Sequence, residues 1–203
     1  NASFLGPVYV NDKIEFILIN NTSDLTINVY KEKELITIIN FSVQPLQPSK
    51  FPIKKTTHNT SAKSLNELQI EKSNGSLQLS LDESLYNKMF PALYVGMHIG
   101  QVSSLLCSTR LVGMECPGLN SIYSELNLFS NDRESFNLNY NVDKFKKRYS
   151  LVKLNINANS LEGKINAFYR PLPKKQKTFK EVKEIFSPLS FKFKSALVIG
   201  GSR

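Results

Sequence analysis

Apolar and polar positions alternate along much of this chain, and the alternation predicts strands. Asp12–Asn20 (DKIEFILIN) is apolar and β-branched and ends in the turn-forming run Asn20-Asn21-Thr22-Ser23-Asp24. Leu25–Tyr30 follows, with Leu25, Ile27 and Val29 on one face, and Glu34–Phe41 is rich in isoleucine after the polar Lys31-Glu32-Lys33. The three read as a β-meander that needs a partner layer, because so few short strands have no core of their own. A second series begins near Leu77 and is clearest late in the chain. It predicts strands over Ser121–Ser130, Ser135–Asp143, Tyr149–Asn157 and Leu161–Arg170. In the second of these Phe136, Leu138, Tyr140 and Val142 share one face and asparagines the other; in the third, Tyr149 and Leu151 are set against partners such as Lys153.

Between the two series the period changes. Met97, Ile99, Val102, Leu105, Leu106 and Val112 fall at helical spacing, predicting a helix over Met97–Val112. Its intervening residues Gly100, Ser103, Ser104 and Cys107 are small, and no charge occurs before Arg110, so a helix buried on all sides is expected. Gly113 suits the stop and Pro117 prevents resumption. One apolar helix ahead of a run of long antiparallel strands predicts an α+β fold in which the sheet wraps the helix. Residues 44–76 read as a linker, polar and proline-rich over its first two thirds.

The 203 residues, 41% hydrophobic and 21% charged, exclude disorder across the whole chain and allow one large or two small domains. No apolar run approaches the ~18 residues of a membrane span, and no basic-then-apolar leader opens the chain. Two cysteines make no disulfide scaffold, so a reducing cytoplasmic setting is expected. The net charge of +9 is uneven: residues 1–143 carry 11 Lys+Arg and 14 Asp+Glu, whereas residues 144–203 carry 15 and 3. The basic end contains Lys174-Lys175-Gln176-Lys177, with Phe179, Val182, Ile185 and Phe186 interleaved at helical spacing, as in an amphipathic helix docked on the sheet. With no recognisable nucleic-acid module beside it, this charge does not argue for nucleic acid.

Four stretches carry a family likeness: Phe90-Pro91-Ala92-Leu93-Tyr94-Val95-Gly96-Met97, Gly113-Met114-Glu115-Cys116-Pro117-Gly118-Leu119-Asn120-Ser121-Ile122-Tyr123, Arg148–Leu154 and Glu162–Pro171. In order and spacing they resemble the hot-dog fold of the MaoC-like (R)-specific enoyl-thioester hydratases and dehydratases, over roughly residues 77–171. Residues 1–43 resemble the strand portion of a second, reduced hot-dog module, as in double hot-dog proteins. Phe193–Arg203 is similar to the first strand and turn of a short-chain dehydrogenase/reductase. That family continues with two glycines that let a pyrophosphate approach, so the resemblance implies a fusion cut at a domain boundary, with NAD(P) expected only for the missing reductase and no cofactor in this fragment. The implied organisation is strands of a partial module over 1–43, a linker over 44–76, a dehydratase-like module over 77–173, and a basic linker with a truncated reductase strand over 174–203.

The resemblance also implies chemistry: reversible hydration of a 2-enoyl thioester carried on coenzyme A or a carrier protein, by a homodimer. The family's water-activating Asp/His pair falls on Gly75 and Ser80 in one match, and on Gln101 and Met89 in another. What remains near the implied site is His98 and Gln101 as catalytic candidates, with Tyr94, Gly96 and Met97 toward the substrate and the Gly96 N–H toward the thioester oxygen. A non-catalytic acyl-binding or dimerisation module and a hot-dog thioesterase are the competing expectations. Other constellations are absent. His58, His98, Cys107 and Cys116 lack zinc spacing, Gly113 and Gly118 are followed by Leu119-Asn120 rather than a P-loop Lys-Ser/Thr, and no nucleophile elbow occurs.

Overall fold

The structure, a computed structural model, describes residues 1–21, 24–42, 61–170 and 177–185. The linker segment 44–60 with His58, the lysines at 174 and 175, Phe186 and the reductase-like Phe193–Arg203 lie outside the described residues. The chain divides into two compact units, Asn1–Pro171 and Leu172–Arg203.

The first unit begins with β1 (Ala2–Phe4), β2 (Ile14–Asn21), β3 (Asp24–Lys31) and β4 (Glu34–Ser42). Helix α1 (Glu67–Glu71) and strand β5 (Asn74–Gln78) follow, then α2 (Glu83–Met89), α3 (Pro91–Gly96) and α4 (Ile99–Arg110). Four long strands end the unit: β6 (Ser121–Ser130), β7 (Asn137–Lys146), β8 (Leu151–Asn157) and β9 (Leu161–Tyr169). All nine strands join one antiparallel sheet in the order β2-β3-β4-β1-β6-β9-β8-β7-β5. The fold is thus an open antiparallel sheet with a few helices, compatible with the expected α+β class. The short β1 links its halves, pairing Ala2 with Ile39 of β4 on one side and with Leu126 of β6 on the other.

The strand alternation places the core. Leu138 and Tyr140 of β7 are buried while Asn137, Asn139 and Asn141 face solvent. In β8 the buried residues are Val152, Leu154 and Ile156; Tyr149, assigned to this strand by the sequence pattern, precedes it in a 3-10 turn and is exposed. With Ile165 and Ala167 of β9 they form the floor under α4. Burying each large aliphatic chain contributes roughly 1.5–3 kcal/mol, which makes this floor the main source of stability. It lies wholly under the β5–β9 half of the sheet.

Helix α4 is not buried on all sides, in contrast to the sequence expectation. It turns Gly100, Gln101, Val102, Ser103, Ser104, Cys107 and Ser108 inward, while Leu106 is 50% exposed and Leu105 half-buried. Small residues let the helix sit close to the sheet, and its serines are satisfied locally. Ser103 and Ser104 donate to the Gly100 carbonyl at 2.9 and 2.7 Å, and Ser108 to that of Leu105 at 2.7 Å. The helix does not stop at Gly113. It widens into a π turn over Leu111–Glu115, closed by the Cys116 N–H on the Leu111 carbonyl at 2.8 Å, and ends before Pro117.

Two shorter helices are capped at their N-termini by side chains. Asp82 caps α2 by accepting from the Leu85 N–H at 3.1 Å, with Glu83 in the first turn. In the second unit α5 (Phe179–Ile185) is opened by a reciprocal Thr178–Glu181 pair and buries none of its residues. Among the described residues no helix is long and apolar enough to cross a membrane.

Candidate functional site

All five sequence candidates lie in the elbow between α3 and α4. Pro91 opens α3, a position where its missing N–H costs nothing. Tyr94 lies on α3 and donates its hydroxyl to Glu83 Oε1 at 2.8 Å, tying α3 back to α2; this bond and the Glu83 charge hold the phenol's pKa above its ordinary value. The Tyr86 ring packs between Phe90 and Tyr94, with centroids 6.3 and 5.8 Å away. Gly96 ends α3 rather than opening α4, so the long helix starts two residues later than the sequence implied. Met97 packs its side chain against the core.

His98 is the N-cap of α4, with extended backbone (φ −65°, ψ 134°) and Nδ1 accepting from the Gly100 N–H at 3.2 Å. This bond fixes the tautomer: a ring nitrogen that accepts carries no proton, so the neutral imidazole holds its proton on Nε2. Gln101 sits in the first turn with its N–H on the His98 carbonyl at 3.0 Å. It is only 8% exposed.

The first turn of α4 is packed against the turn joining β8 to β9, a contact the sequence did not announce. Asn159 is fully buried there. Its Nδ2 donates to the Ser135 carbonyl at 2.9 Å, its Oδ1 accepts from Ser160 at 3.0 Å, and its own carbonyl accepts from Ser104 at 2.9 Å. Gly100 is required by this approach, because a Cβ there would collide with Asn159 Oδ1. The available signals were the Asn159-Ser160 turn and the small residues of α4, which say that something comes close but not what.

Other chemistry is remote or closed. Lys146, Lys147 and Arg148 form a basic turn between β7 and β8, with Lys147 paired to Glu71 at 3.1 Å and Arg148 over the Tyr149 ring at 5.6 Å. Asn159 and this turn lie beyond opposite ends of β8, a strand about 20 Å long, so the basic turn does not flank the elbow. Both cysteines are free and buried. Burial pushes the Cys107 thiol up to about 11, and burial likewise pushes the Tyr123 phenol up to about 12. Among the described residues no three His, Cys, Asp or Glu side chains are placed to hold a metal ion.

No family model matches the chain, and no curated protein or solved structure matches it.

Proposed function

We propose that this chain is an acyl-thioester-binding module of the hot-dog class, related to the MaoC-like dehydratases. The observation that carries the reading is the order of elements in the helix-covered half: β5, the α2–α4 helices, then β6, β7, β8 and β9, with α4 lying on one face of their antiparallel sheet. That order runs parallel to the resemblance of residues 77–171. The ligand is an acyl group on coenzyme A or a carrier protein, in the cytoplasm, and the natural context is a fusion to an NAD(P)-dependent reductase.

The elbow suits a carbonyl. The start of a twelve-residue helix favours developing negative charge. The Gln101 amide supplies a donor of the type a thioester oxygen accepts, beside His98 at the helix N-cap. Leu85, Met89 and Phe90 on and beside α2 are about half exposed and offer apolar surface for an acyl chain close to Tyr94.

Binding is favoured over turnover by the His98 cap. Hydration needs a base with a bare nitrogen toward water. While Nδ1 of His98 accepts from Gly100, the other nitrogen carries the proton and donates. The test is to mix the protein with crotonyl-coenzyme A and follow melting temperature, enoyl absorbance and free thiol together. A rise in melting temperature with constant absorbance and no thiol release is expected. Loss of enoyl absorbance would replace the reading with the hydratase, and thiol release with the thioesterase. An unchanged melting temperature would overturn acyl-thioester binding itself.

A further inference from the structure

The β6–β9 half of the sheet has a second face, turned away from α4. Lys144, Lys146, Lys153 and Lys164 lie on it, because their strand neighbours Phe145, Val152, Leu154 and Ile165 turn toward the core. The strand register sets their spacing. Lys144 of β7 stands directly opposite Lys153 of β8, with Cβ atoms about 5 Å apart. Lys164 of β9 is opposite Asn155, two residues along β8 from Lys153, so it lies about 7–8 Å from Lys153 on the diagonal. Lys146 is two residues beyond Lys144, about 7 Å along β7. The four make one stripe across three strands, and none of them is buried. None takes part in an ion pair among the described residues, and neither does Asp143 in the β7 bulge beside Lys144. The other carboxylates of this face are held by amides: Glu125 accepts from Asn166 at 2.5 Å, and Glu162 from Asn157 at 3.3 Å. Like charges directly opposite each other oppose folding, so the Lys144–Lys153 pair is no stabilising device. Lys164 also borders a recess of about 440 Å³, with Asn127, Phe129 and Glu162 around it. Phe129 is 62% exposed, and Asn127 Oδ1 is buried without a hydrogen-bond partner. A buried acceptor left unpaired costs free energy until a donor reaches it.

We propose that this face binds single-stranded nucleic acid, with the lysine stripe on successive backbone phosphates and the recess holding a base that carries an exocyclic amino group. Unneutralised positive charge selects an anion, and its repetition along a line selects a polyanion over a single phosphate. Phe129 offers a ring face on which a base stacks. Asn127 Oδ1 accepts from an amino group such as adenine or cytosine carries and uracil lacks. An open sheet face meets splayed bases, which single strands present and duplexes do not. An acidic polypeptide would answer the lysines but brings no amino-bearing ring to the recess. This geometry exists only in the folded sheet, since the four lysines come from three strands and belong to no linear motif. The proposal is independent of the acyl-thioester reading, because the α3–α4 elbow lies on the opposite face.

The test is fluorescence anisotropy with the whole chain and labelled oligoadenylate or oligouridylate of about twelve nucleotides. Four phosphate contacts predict a slope of about −2.8 in log affinity against log salt, a loss of about 50-fold between about 50 and 200 mM. Oligoadenylate should bind at least about fivefold tighter than oligouridylate, and Asn127→Ala should erase that preference. Phe129→Leu should weaken both by about fivefold or more. Oligodeoxyadenylate should bind as oligoadenylate does, since neither the stripe nor the recess calls on a 2′-hydroxyl. Lys144→Glu should weaken both RNAs at least about tenfold and leave the melting temperature at or above that of the parent, because it sets opposite charges across the sheet from Lys153. Lys180→Glu, the same change of charge on α5, should leave binding within about twofold at about 0.15 M salt. No binding at the lower salt, a slope near zero, or equal losses from Lys144→Glu and Lys180→Glu would overturn the proposal. So would an oligoglutamate of equal length binding as tightly as oligoadenylate, or equal affinity of the parent for the two RNAs. If Lys144→Glu lowers the melting temperature, Lys144→Ala gives the same reading with a smaller change.

Discussion

Replacing Gly100 by alanine tests the contact on which the elbow depends. On helix propensity alone the change would stabilise by up to ~1 kcal/mol, because alanine is the better helix former. The structure predicts the opposite sign. The new methyl would collide with Asn159 Oδ1 and press on His98 Nδ1, 3.0 Å away. Asn159 has nowhere to yield, being fully buried and held by Ser135, Ser160 and Ser104. Overpacking of this kind costs about 1–3 kcal/mol, and each displaced hydrogen bond about 1 more. A net loss of roughly 1–3 kcal/mol is expected, read as a fall of about 1 M in the urea midpoint at unchanged slope. Gly113→Ala is the internal control, since no atom lies within 4 Å of its added Cβ and only the propensity gain applies. The double change Gly100→Ala with Asn159→Ala should recover most of the Gly100→Ala loss, giving a coupling of at least about 1 kcal/mol. A Gly100→Ala protein as stable as the parent, or additive with Asn159→Ala, would refute the packing of the β8–β9 turn on α4.

Three further outcomes follow from the same geometry. His98→Ala should cost about 1 kcal/mol through the lost cap, read as a lower urea midpoint, and His98→Asp should restore it, since aspartate also accepts from the helix N–H. Leu154→Ala, at the centre of the core, should cost about 2–5 kcal/mol, whereas Leu106→Ala, half exposed on α4, should cost under about 1; urea midpoints separate the two. Stability should fall as pH rises above 9, because the unfolded Cys107 thiol ionises near 9.0 while the folded one stays neutral to about 11, and Tyr123 extends the fall from 10.0 toward 12. Cys107→Ala should flatten the part of that profile between pH 9 and 11, and a disulfide reagent at pH 8 should find both thiols slow in the native protein and fast in urea.

The strands were readable in the sequence because each carries its own local signal. Ser121–Ser130 is recovered with both ends in place, and β2, β3, β4, β7, β8 and β9 within two or three residues. What was not readable is non-local. The three-residue β1 has no pattern of its own, and its role as the strand joining β4 to β6 comes from pairing partners more than thirty residues away. The orientation of α4 was misjudged for a physical reason: apolar periodicity marks leucines as inward, but close helix-to-sheet approach favours glycine and serine, whose hydroxyls are satisfied by carbonyls one turn back. The elbow residues were found as a cluster, since they are neighbours in sequence. The break at Met97-His98 that separates α3 from α4, and the Asn159 contact that holds it, needed three dimensions.

The most direct test of the central claim is calorimetric titration of crotonyl-coenzyme A into the whole chain, beside coenzyme A without an acyl group, for the parent protein and for His98→Ala and Gln101→Ala. Acyl-thioester binding at the α3–α4 elbow predicts at least tenfold tighter binding of the acyl form, and loss of that preference in both variants. Equal affinity for the two ligands, no heat from either, or a preference untouched by the two substitutions would contradict it.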